Sequence, residues 1–418
     1  MSTDTLFQLR QALGLVPLND WHPPAMSLAW RLLINVTGSV ASMAILQVAA
    51  LWGSLFLIAW VIWKRSASRT WSICVVAVGT LPFVLNFAGV VWKDVHMCFA
   101  LLGVVATVLW ARERSPGSTV IRWLLFAVCV SLLVYATLVR RNAILAIPPL
   151  FLVVVTSLWG PRPSRRQWLC ASGLFLASLI VTSVAITTIA RPVDTKQLSS
   201  IALDDVLHVL TVSELRGLNI SEPVREHLVQ AAKECKRKKV VMNSYWTCFG
   251  QGKDGDFTAI AGADEVLGAW TTQMISHPSE YLQYRLEVFT KFLFESRQFS
   301  PVGVDRNELG QSASHPRMVA TLQVYVNGAA RSTPWFFAGW FWLVANLALL
   351  FWPGRGPFWS VIRAMSASSV LYFLTYFPFA PETDFRYVYW PVVAGCLGFV
   401  LAAGSALTAR QLRQREGS

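Results

Sequence analysis

Residues 39–63 read SVASMAILQVAALWGSLFLIAWVIW and contain no charged side chain. About 20 mostly apolar residues are enough for an α-helix to cross a lipid bilayer. An uncharged stretch of this length is typical of membrane proteins rather than of soluble domains. It therefore predicts a membrane-spanning helix.

Eight further segments of the same kind follow along the chain. The nine predicted spans are residues 39–63, 72–91, 95–111, 121–139, 143–159, 169–190, 334–352, 358–378 and 387–408. Prolines within them are tolerated, because neighbouring helices supply partners for the freed carbonyl groups. The sequence thus predicts an all-α polytopic membrane protein of about nine transmembrane helices.

The composition supports this fold class. Of the 418 residues, 54% are hydrophobic and 14% are charged, and the mean hydropathy is +0.47. A globular domain is about a quarter charged, so a single soluble domain is excluded, as is intrinsic disorder. The net charge of +13 does not indicate nucleic-acid binding, because residues 191–331 carry equal numbers of basic and acidic residues. The basic excess lies in loops and at helix ends, which is the pattern of membrane topology.

Basic residues concentrate in alternate loops between the predicted spans. They are Lys64, Arg65, Arg69, Arg112, Arg114, Arg122, Arg162, Arg165, Arg166, Arg355, Arg363, Arg410, Arg413 and Arg415. The positive-inside rule assigns these loops to the cytoplasm, and we expect a bacterial inner-membrane protein whose other face is periplasmic. Nine spans then place residue 1 outside without a leader, so we expect a further helix upstream of it.

The predicted spans divide the chain into five parts. Residues 1–38 form a periplasmic N-terminal segment, 39–190 a six-helix transmembrane region, and 191–333 a mostly helical periplasmic domain. Residues 334–408 form a three-helix transmembrane region and 409–418 a cytoplasmic tail.

The periplasmic domain contains three predicted helices and two cysteines. Helical periodicity marks residues 202–216 and 222–239, and residues 280–297 place apolar side chains on one face, which suggests a helix at the membrane surface. Cys235 and Cys248 are expected to form a disulfide if this side is periplasmic; two reduced thiols are the alternative. No residue spacing typical of a metal site occurs.

Four polar groups lie on the predicted periplasmic face, although ionisable residues at membrane depth are costly and usually functional. They are Asp20 with His22, Lys93 with Asp94, Arg140 with Arg141 and Asn142, and Glu382 with Asp384 and Arg386. Cations can neutralise a leaving phosphate, and a carboxylate can take the proton of an attacking hydroxyl. The four groups together predict a site for transfer from a phosphate-linked donor.

These motifs, in this order, resemble bacterial members of the GT-C superfamily, polytopic glycosyltransferases that use polyprenyl-phosphate sugars. The resemblance lies in Asp20 before His22-Pro23-Pro24, Trp92-Lys93-Asp94-Val95, Arg141-Asn142, His277-Pro278-Ser279-Glu280-Tyr281 and Asp384-Phe385-Arg386-Tyr387. It covers about residues 18–408 and is weakest in 191–270. Family members carry a helix before the loop that Asp20 matches, and none is predicted here.

The resemblance implies a role for each matching residue. Asp20 would be the catalytic base, and His22 would orient it or the acceptor. The remaining implied residues are Lys93, Arg140, Arg141 and Arg386 for the donor phosphate, and Asp94, Asn142 and Asp384 for positioning. The reaction would invert the anomeric carbon, with a lipid, glycan or protein as acceptor and membrane lipids around it. Some members use a divalent metal, but nothing in this sequence requires a cofactor.

Simpler roles remain open for the same residues. Asp20 could cap the helix that begins near Pro23. Lys93 could reach the lipid headgroups with Asp94 as its ion-pair partner, and Arg140 and Arg141 could bind headgroups too. Asp384 and Arg386 could form a surface ion pair of little energetic worth.

Two other function classes also remain open. One is a secondary transporter or a lipid or polysaccharide flippase, which needs ionisable groups near the bilayer midplane and often has repeated halves. The other is a membrane acyltransferase or glycan polymerase without a carrier-phosphate donor.

Overall fold

The computed structural model describes residues 2–66, 68–115, 117–250, 258–295 and 306–416, with side chains described as far as residue 405. This part of the chain is helical between its turns and loops, with an isolated strand-like bridge between Asn19 and Val193. The N-terminal half contains α1 (Thr3–Ala12), α2 (Pro24–Thr37), α3 (Ser42–Ser66), α4 (Arg69–Ala77), α5 (Pro82–Ala88), α6 (Lys93–Arg114), α7 (Thr119–Val139), α8 (Ile147–Trp159) and α9 (Arg165–Ala190).

The second half begins with the segment predicted to be periplasmic. Its helices are α10 (Gln197–Val209), α11 (Val212–Arg216), α12 (Glu222–Lys238), α13 (Ser244–Thr247), α14 (Ala263–Ser276), α15 (Pro278–Phe294) and α16 (Pro316–Ser332). The chain then returns to the apolar bundle with α17 (Gly339–Phe351), α18 (Trp359–Leu374), α19 (Tyr376–Phe379) and α20 (Tyr389–Glu416). The predicted helix at 222–239 is confirmed as α12, whereas residues 202–216 are divided between α10 and α11 by Leu210 and Thr211. The predicted helix at 280–297 is α15 as far as Phe294, and residues 296–297 lie outside the described residues.

The described helices are those of a multi-pass membrane protein. Six are long and apolar enough to span a bilayer: α3, α6, α7, α8 with the turn before it, α9, and Phe385–Ser405 at the start of α20. A seventh span is counted if α4, with its 3-10 turn, and α5, bent by 56°, are taken together. The sequence predicted nine spans, and the two that are not among these candidates contain shorter helices.

These two are residues 334–352 and 358–378. The first contains a 3-10 turn at Pro334–Phe337 and an extended residue, Ala338, before the 13-residue α17. At about 1.5 Å per residue, α17 is roughly 20 Å long, against a hydrocarbon core of about 30 Å. The second is α18, with 16 residues, followed by the separate short helix α19.

The bundle is organised around α6. In the most apolar stretch of α6, 83% of the residues are buried within the protein, compared with 11% in that of α9. α6 packs against α3, α7, α8 and α20, and α9 packs on the outside against α7 and α8. Polar residues at the start of α6 therefore lie inside the protein and not against lipid.

Hydrogen bonds join the basic loops at one end of the bundle. Arg65 at the end of α3 contacts Glu113 near the end of α6 at 2.6 Å. Arg112 donates to the hydroxyls of Ser157 in α8 and Ser360 in α18, at 2.7 and 2.6 Å. Because α6 ends here, its N-terminal residues Lys93 and Asp94 lie at the other end.

The segment from α10 to α14 has its own apolar core, separate from that of the bundle. Cys235 and Cys248 are joined by a disulfide, with Cα atoms 5.2 Å apart. A buried ion pair between Arg285 of α15 and Asp205 of α10, 2.6 Å long, attaches α15 to this segment. α15 also packs against α17 and α19, so it connects the segment to the bundle.

Candidate functional site

A cavity of about 670 Å³ lies at the end of the bundle opposite the basic loops. Its walls come from the N-terminal loop, the first residue of α6, the α7–α8 turn, the segment from α10 to α13, and the loop before α20. The cavity-lining residues used below are Asp4, Asp20, Trp21, His22, Lys93, Arg140, Arg141, Asn142, Gln197, Ser200, Asp204, Asn243, Tyr245, Trp246, Glu382, Arg386 and Tyr387. All four polar groups singled out in the sequence thus contribute to one cavity.

Asp20 is held by the chain that follows α9. Its Oδ1 accepts hydrogen bonds from the backbone N–H and the hydroxyl of Thr195, both at 2.6 Å. The backbone N–H of Asp20 donates to the carbonyl of Val193 at 3.1 Å. Its Oδ2 lies 3.8 Å from the guanidinium of Arg141. Helix α2 instead has Pro23 at its N-cap, with no side-chain hydrogen bond, so the capping role for Asp20 is wrong.

Arg140 is a buried cation with a fixed geometry. Its Nε lies 3.0 Å from Oδ1 of Asp94, which is 1% exposed. Its guanidinium donates to the hydroxyl of Tyr376 at 3.0 Å and lies 4.8 Å from the ring centre of Tyr387. A lipid-headgroup role is wrong for this arginine, since only 11% of its side chain is exposed. Asp94 pairs with Arg140 rather than with Lys93, so that predicted pair is wrong as well.

Arg386 is equally buried and lies between two carboxylates. Its Nε is 2.9 Å from Oδ2 of Asp384, and one Nη is 2.5 Å from Oδ2 of Asp4. Its guanidinium also lies 4.7 Å from the ring centre of Trp92. The Asp384–Arg386 pair is therefore an interior pair and not a surface one. Asp94 and Asp384 do not line the cavity themselves, and each contacts an arginine that does.

Among the described residues, Lys93 and Arg141 are the cavity cations that no close carboxylate holds. Lys93 donates to the backbone carbonyl of Trp21 at 3.2 Å and, among the described residues, forms no ion pair. The side chain of Arg141 is 72% exposed, and its one described ion pair is the long contact with Asp20. Asn142 lines the cavity beside Arg141. A bound anion would find unsatisfied donors here rather than at Arg386.

Burial and neighbouring charges set the ionisation of the acidic and imidazole groups. Burial lowers the pKa of His22 to about 3, against the attraction of Asp4, so its ring is neutral near pH 7. For Asp4, burial acts to raise the pKa, but Arg386, His22 and Lys93 outweigh it and lower the pKa to about 2. Burial raises the pKa of Asp384 to about 6, opposed by Arg386. Asp4 is therefore the firmly ionised partner of Arg386.

The sequence did not predict the part of the site that comes from α1. This helix supplies Asp4 to the cavity, and its buried Gln8 and Gln11 bond to the loop that follows. The Gln8 amide lies 3.3 Å from Nδ1 of His22, and the Gln11 amide donates to Asn19 at 3.1 Å. The buried face of α1 is largely polar, so it lacks the apolar stripe by which such helices are found. Only the Ser2 N-cap could have revealed it.

The sequence also did not predict the aromatic residues that α13 contributes. Tyr245 and Trp246 line the cavity next to Trp21, although they lie far from the other motifs in the sequence. Within the described residues, no group of three or more His, Cys, Asp and Glu side chains could hold a metal ion.

The arrangement combines a carboxylate, spare cations and buried arginines in one cavity at the end of a membrane bundle. No family model, curated protein or solved structure matches this chain.

Proposed function

We propose that the protein is a membrane glycosyltransferase that takes a sugar from a polyprenyl-phosphate donor. The observation that carries the proposal is the single cavity that Asp20 shares with Lys93, Arg140, Arg141 and Arg386. It agrees with the resemblance to the GT-C superfamily. The acceptor is a lipid, a glycan or a protein, and the surrounding partners are membrane lipids.

The proposed reaction is a direct displacement at the anomeric carbon. A hydroxyl oxygen of the acceptor attacks that carbon and forms the new glycosidic bond. The bond between the anomeric carbon and the phosphate oxygen breaks, and its electron pair leaves with polyprenyl phosphate. Asp20 accepts the hydroxyl proton, a role that typically contributes 10²- to 10⁴-fold to a rate. Attack from the face opposite the phosphate inverts the anomeric carbon.

The cations divide into two groups with different tasks. Lys93 and Arg141, which have donors to spare, bind the donor phosphate and stabilise the charge that develops as it leaves. Arg140 and Arg386 are held by Asp94, Asp384 and Asp4 and supply a fixed positive field that needs no rearrangement during the reaction. Neutral His22 supports the loop of Asp20, and Asn142 adds a polar contact beside Arg141.

The position of the cavity favours transfer over transport. It lies at the ends of the helices, at the first residue of α6 and the turn between α7 and α8. A secondary transporter binds its substrate near the bilayer midplane. A cavity at the membrane surface suits a carrier lipid whose phosphate lies at the headgroup level. With the basic loops cytoplasmic, the proposed location is the bacterial inner membrane with a periplasmic active face.

The proposal is tested with purified protein in liposomes, radiolabelled polyprenyl-phosphate sugars and an extract of bacterial membranes as acceptor source. Asp20→Asn keeps an oxygen for the two bonds from Thr195 but cannot accept a proton. We expect it to lower transfer at least 100-fold. Asp264→Asn is the matched control, because Asp264 is 79% exposed and lies outside the cavity. Normal transfer by Asp20→Asn, or no transfer by the wild type with any donor, would contradict the proposal.

Arg141→Ala tests the phosphate contact. We expect the apparent donor affinity to fall about tenfold or more, since charge-assisted hydrogen bonds contribute about 1.5–3 kcal/mol, while the apparent affinity for the acceptor stays the same. Arg317→Ala, an exposed arginine at the start of α16, serves as control. An unchanged donor affinity would remove Arg141 from the phosphate site.

A further inference from the structure

The cavity has a second chemical region, built from aromatic side chains of two distant segments. Trp21 comes from the Asp20 loop, and Tyr245 and Trp246 come from α13. The Tyr245 ring centre is 5.1 Å from that of Trp21 and 4.7 Å from that of Trp246. Trp21 and Trp246 contact each other nearly perpendicularly, at 6.1 Å and 82°. Two half-buried indole rings thus meet over a buried tyrosine.

Uncharged polar side chains line the same cavity. They are Gln197, Ser200 and Asn243, and the Gln197 amide lies 3.5 Å from the backbone carbonyl of Trp21. Asp204 also reaches the cavity, but its carboxylate accepts hydrogen bonds from the backbone N–H groups of Asn243 and Ser244, at 3.1 and 2.8 Å. Aromatic faces beside uncharged hydrogen-bonding groups suit a ligand with apolar C–H faces and many hydroxyls. A sugar ring has that chemistry.

The aromatic region is held rigidly. Asn243 adopts the left-handed conformation, with φ of 63°, which asparagine tolerates better than most residues, and Asp204 bonds it there. The Tyr245 hydroxyl donates to the carbonyl of Thr258 at 2.9 Å. The disulfide between Cys235 and Cys248 closes the chain immediately after α13. A surface that is ordered before binding loses less entropy when a ligand docks.

Trp21 places this region next to the proposed base. It directly follows Asp20, and its backbone carbonyl accepts the hydrogen bond from Lys93 at 3.2 Å. A ring that contacts the indole of Trp21 thus lies in the same cavity as the carboxylate and the phosphate-binding cations. That is where the attacking hydroxyl of an acceptor is needed.

We propose that Trp21, Tyr245 and Trp246 form an acceptor subsite that binds a sugar ring, so that the acceptor is a glycan or glycolipid. This inference rests on the proposed glycosyltransferase function and narrows its acceptor class. It also assigns acceptor recognition to the segment from α10 to α13. An acceptor that is a protein or an unglycosylated lipid would have no use for this subsite.

Direct binding tests the subsite without catalysis. The protein is placed in nanodiscs free of sugar-based detergent, and saturation-transfer NMR is recorded with maltose, cellobiose and chitobiose as probes. We expect at least one disaccharide to bind to the wild type and to Asp20→Asn alike. Trp246→Ala should weaken that binding at least tenfold, and Trp246→Phe should retain most of it. Trp352→Ala, an exposed tryptophan at the other end of the bundle, is the control.

The outcomes separate this inference from the proposed function. If none of the disaccharides binds, or if Trp246→Ala binds as the wild type does, the subsite is overturned. Transfer of label to a glycan acceptor at the wild-type rate by Trp246→Ala also overturns it, while the glycosyltransferase proposal stands. A third outcome is that disaccharides bind in a Trp246-dependent way but no donor supports transfer. That result would support the sugar-binding subsite and contradict the proposed glycosyltransferase function.

Discussion

Asp20 owes its orientation to Thr195, which lies 175 positions later in the chain. Two hydrogen bonds at 2.6 Å hold Oδ1 and leave Oδ2 as the oxygen nearest to Arg141. A base that is fixed before the substrate arrives avoids the cost of ordering it during the reaction.

Thr195→Val tests this orientation, since it removes the hydroxyl donor and keeps the backbone N–H. We expect transfer to fall about tenfold with donor affinity unchanged, and the free energy of unfolding to fall by about 1 kcal/mol. Initial rates over a range of donor concentrations separate the two effects, with Thr321→Val on exposed α16 as control. A fall in donor affinity alone would show that Thr195 acts on the phosphate site instead.

His22 provides a prediction of pH dependence. Its pKa is about 3 in the folded protein against 6.5 in the unfolded chain, so the unfolded chain binds more protons below pH 6.5. Its contribution to stability is therefore present above pH 6.5 and is lost as the pH falls towards 3. Relative to His22→Gln, we expect the wild type to lose about 2 kcal/mol of stability between pH 7 and pH 5. Thermal unfolding in nanodiscs measures this, and parallel pH curves for the two proteins would contradict it.

Among single residues, the sequence predicted most charged residues of the cavity but, apart from the Asp384–Arg386 pair, not their partners. An ionisable residue in a tight turn between spans is visible in the sequence because it is costly there. The pairing of Asp94 with Arg140, and of Arg386 with Asp4, depends on which helices are neighbours. The loop sequences alone do not show which helices are neighbours.

Among the elements, α1 is the support of the Asp20 loop. The buried amide of Gln11 donates to the carbonyl of Pro17 and to Asn19, at 3.2 and 3.1 Å, and accepts from Ser27 of α2 at 3.0 Å. These bonds join α1, the loop and α2, so the loop conformation depends on a helix that touches the cavity only at its N-terminal end.

Gln11→Leu keeps the side-chain volume and removes these bonds. Because the buried Ser27 hydroxyl loses its acceptor, and Pro17 and Asn19 each lose a donor, the free energy of unfolding should fall by about 2–3 kcal/mol. Transfer should fall with it, while sugar binding at Trp246 changes less. Gln230→Leu on the exposed face of α12 is the control. Equal stability of the two variants would show that α1 does not support the loop.

α15 connects the segment from α10 to α14 with the bundle. At one end Arg285 pairs with Asp205, which also accepts a hydrogen bond from Trp270 at 2.7 Å. At the other end Phe292 stacks on Tyr376, the partner of Arg140, with ring centres 4.9 Å apart. α15 thus contacts both the segment and the tyrosine that holds the buried arginine.

Arg285→Met should lower the free energy of unfolding by about 3–5 kcal/mol, because it leaves the carboxylate of Asp205 buried without its cation. The double variant Arg285→Met with Asp205→Asn should recover part of this loss. A double-mutant cycle by chemical or thermal unfolding measures the coupling. Additive effects would mean that the pair contributes nothing beyond its separate residues.

At the scale of elements, long apolar helices were predictable and the breaks between them were not. Residues 334–352 have the hydropathy of a span, yet Pro334 and the extended Ala338 divide them into a turn and a short helix. Helix α1 was not predicted, because its buried face is largely polar and lacks an apolar stripe.

The candidate site depends on the separation of the basic loops and the cavity to opposite ends of the bundle. The contacts of Arg65 and Arg112 bring the basic loops together, and the cavity lies at the opposite end. The alternation of loops in the sequence predicted this separation.

Cysteine labelling tests the orientation. Glu308→Cys lies in the segment between the spans and Arg355→Cys in a basic loop, and both positions are exposed. In a Cys170→Ala background, a membrane-impermeant maleimide applied to intact spheroplasts should label the first and reach the second only after lysis. The reverse pattern would place the cavity in the cytoplasm.

The most direct test is an electron cryomicroscopy structure in a nanodisc with a non-cleavable polyprenyl phosphonate sugar. We expect the phosphonate within hydrogen-bonding distance of Lys93 and Arg141, and the sugar between it and the carboxylate of Asp20. A headgroup bound elsewhere in the bundle, or Asp20 separated from Lys93 and Arg141 by the thickness of the membrane, would contradict a shared transfer site.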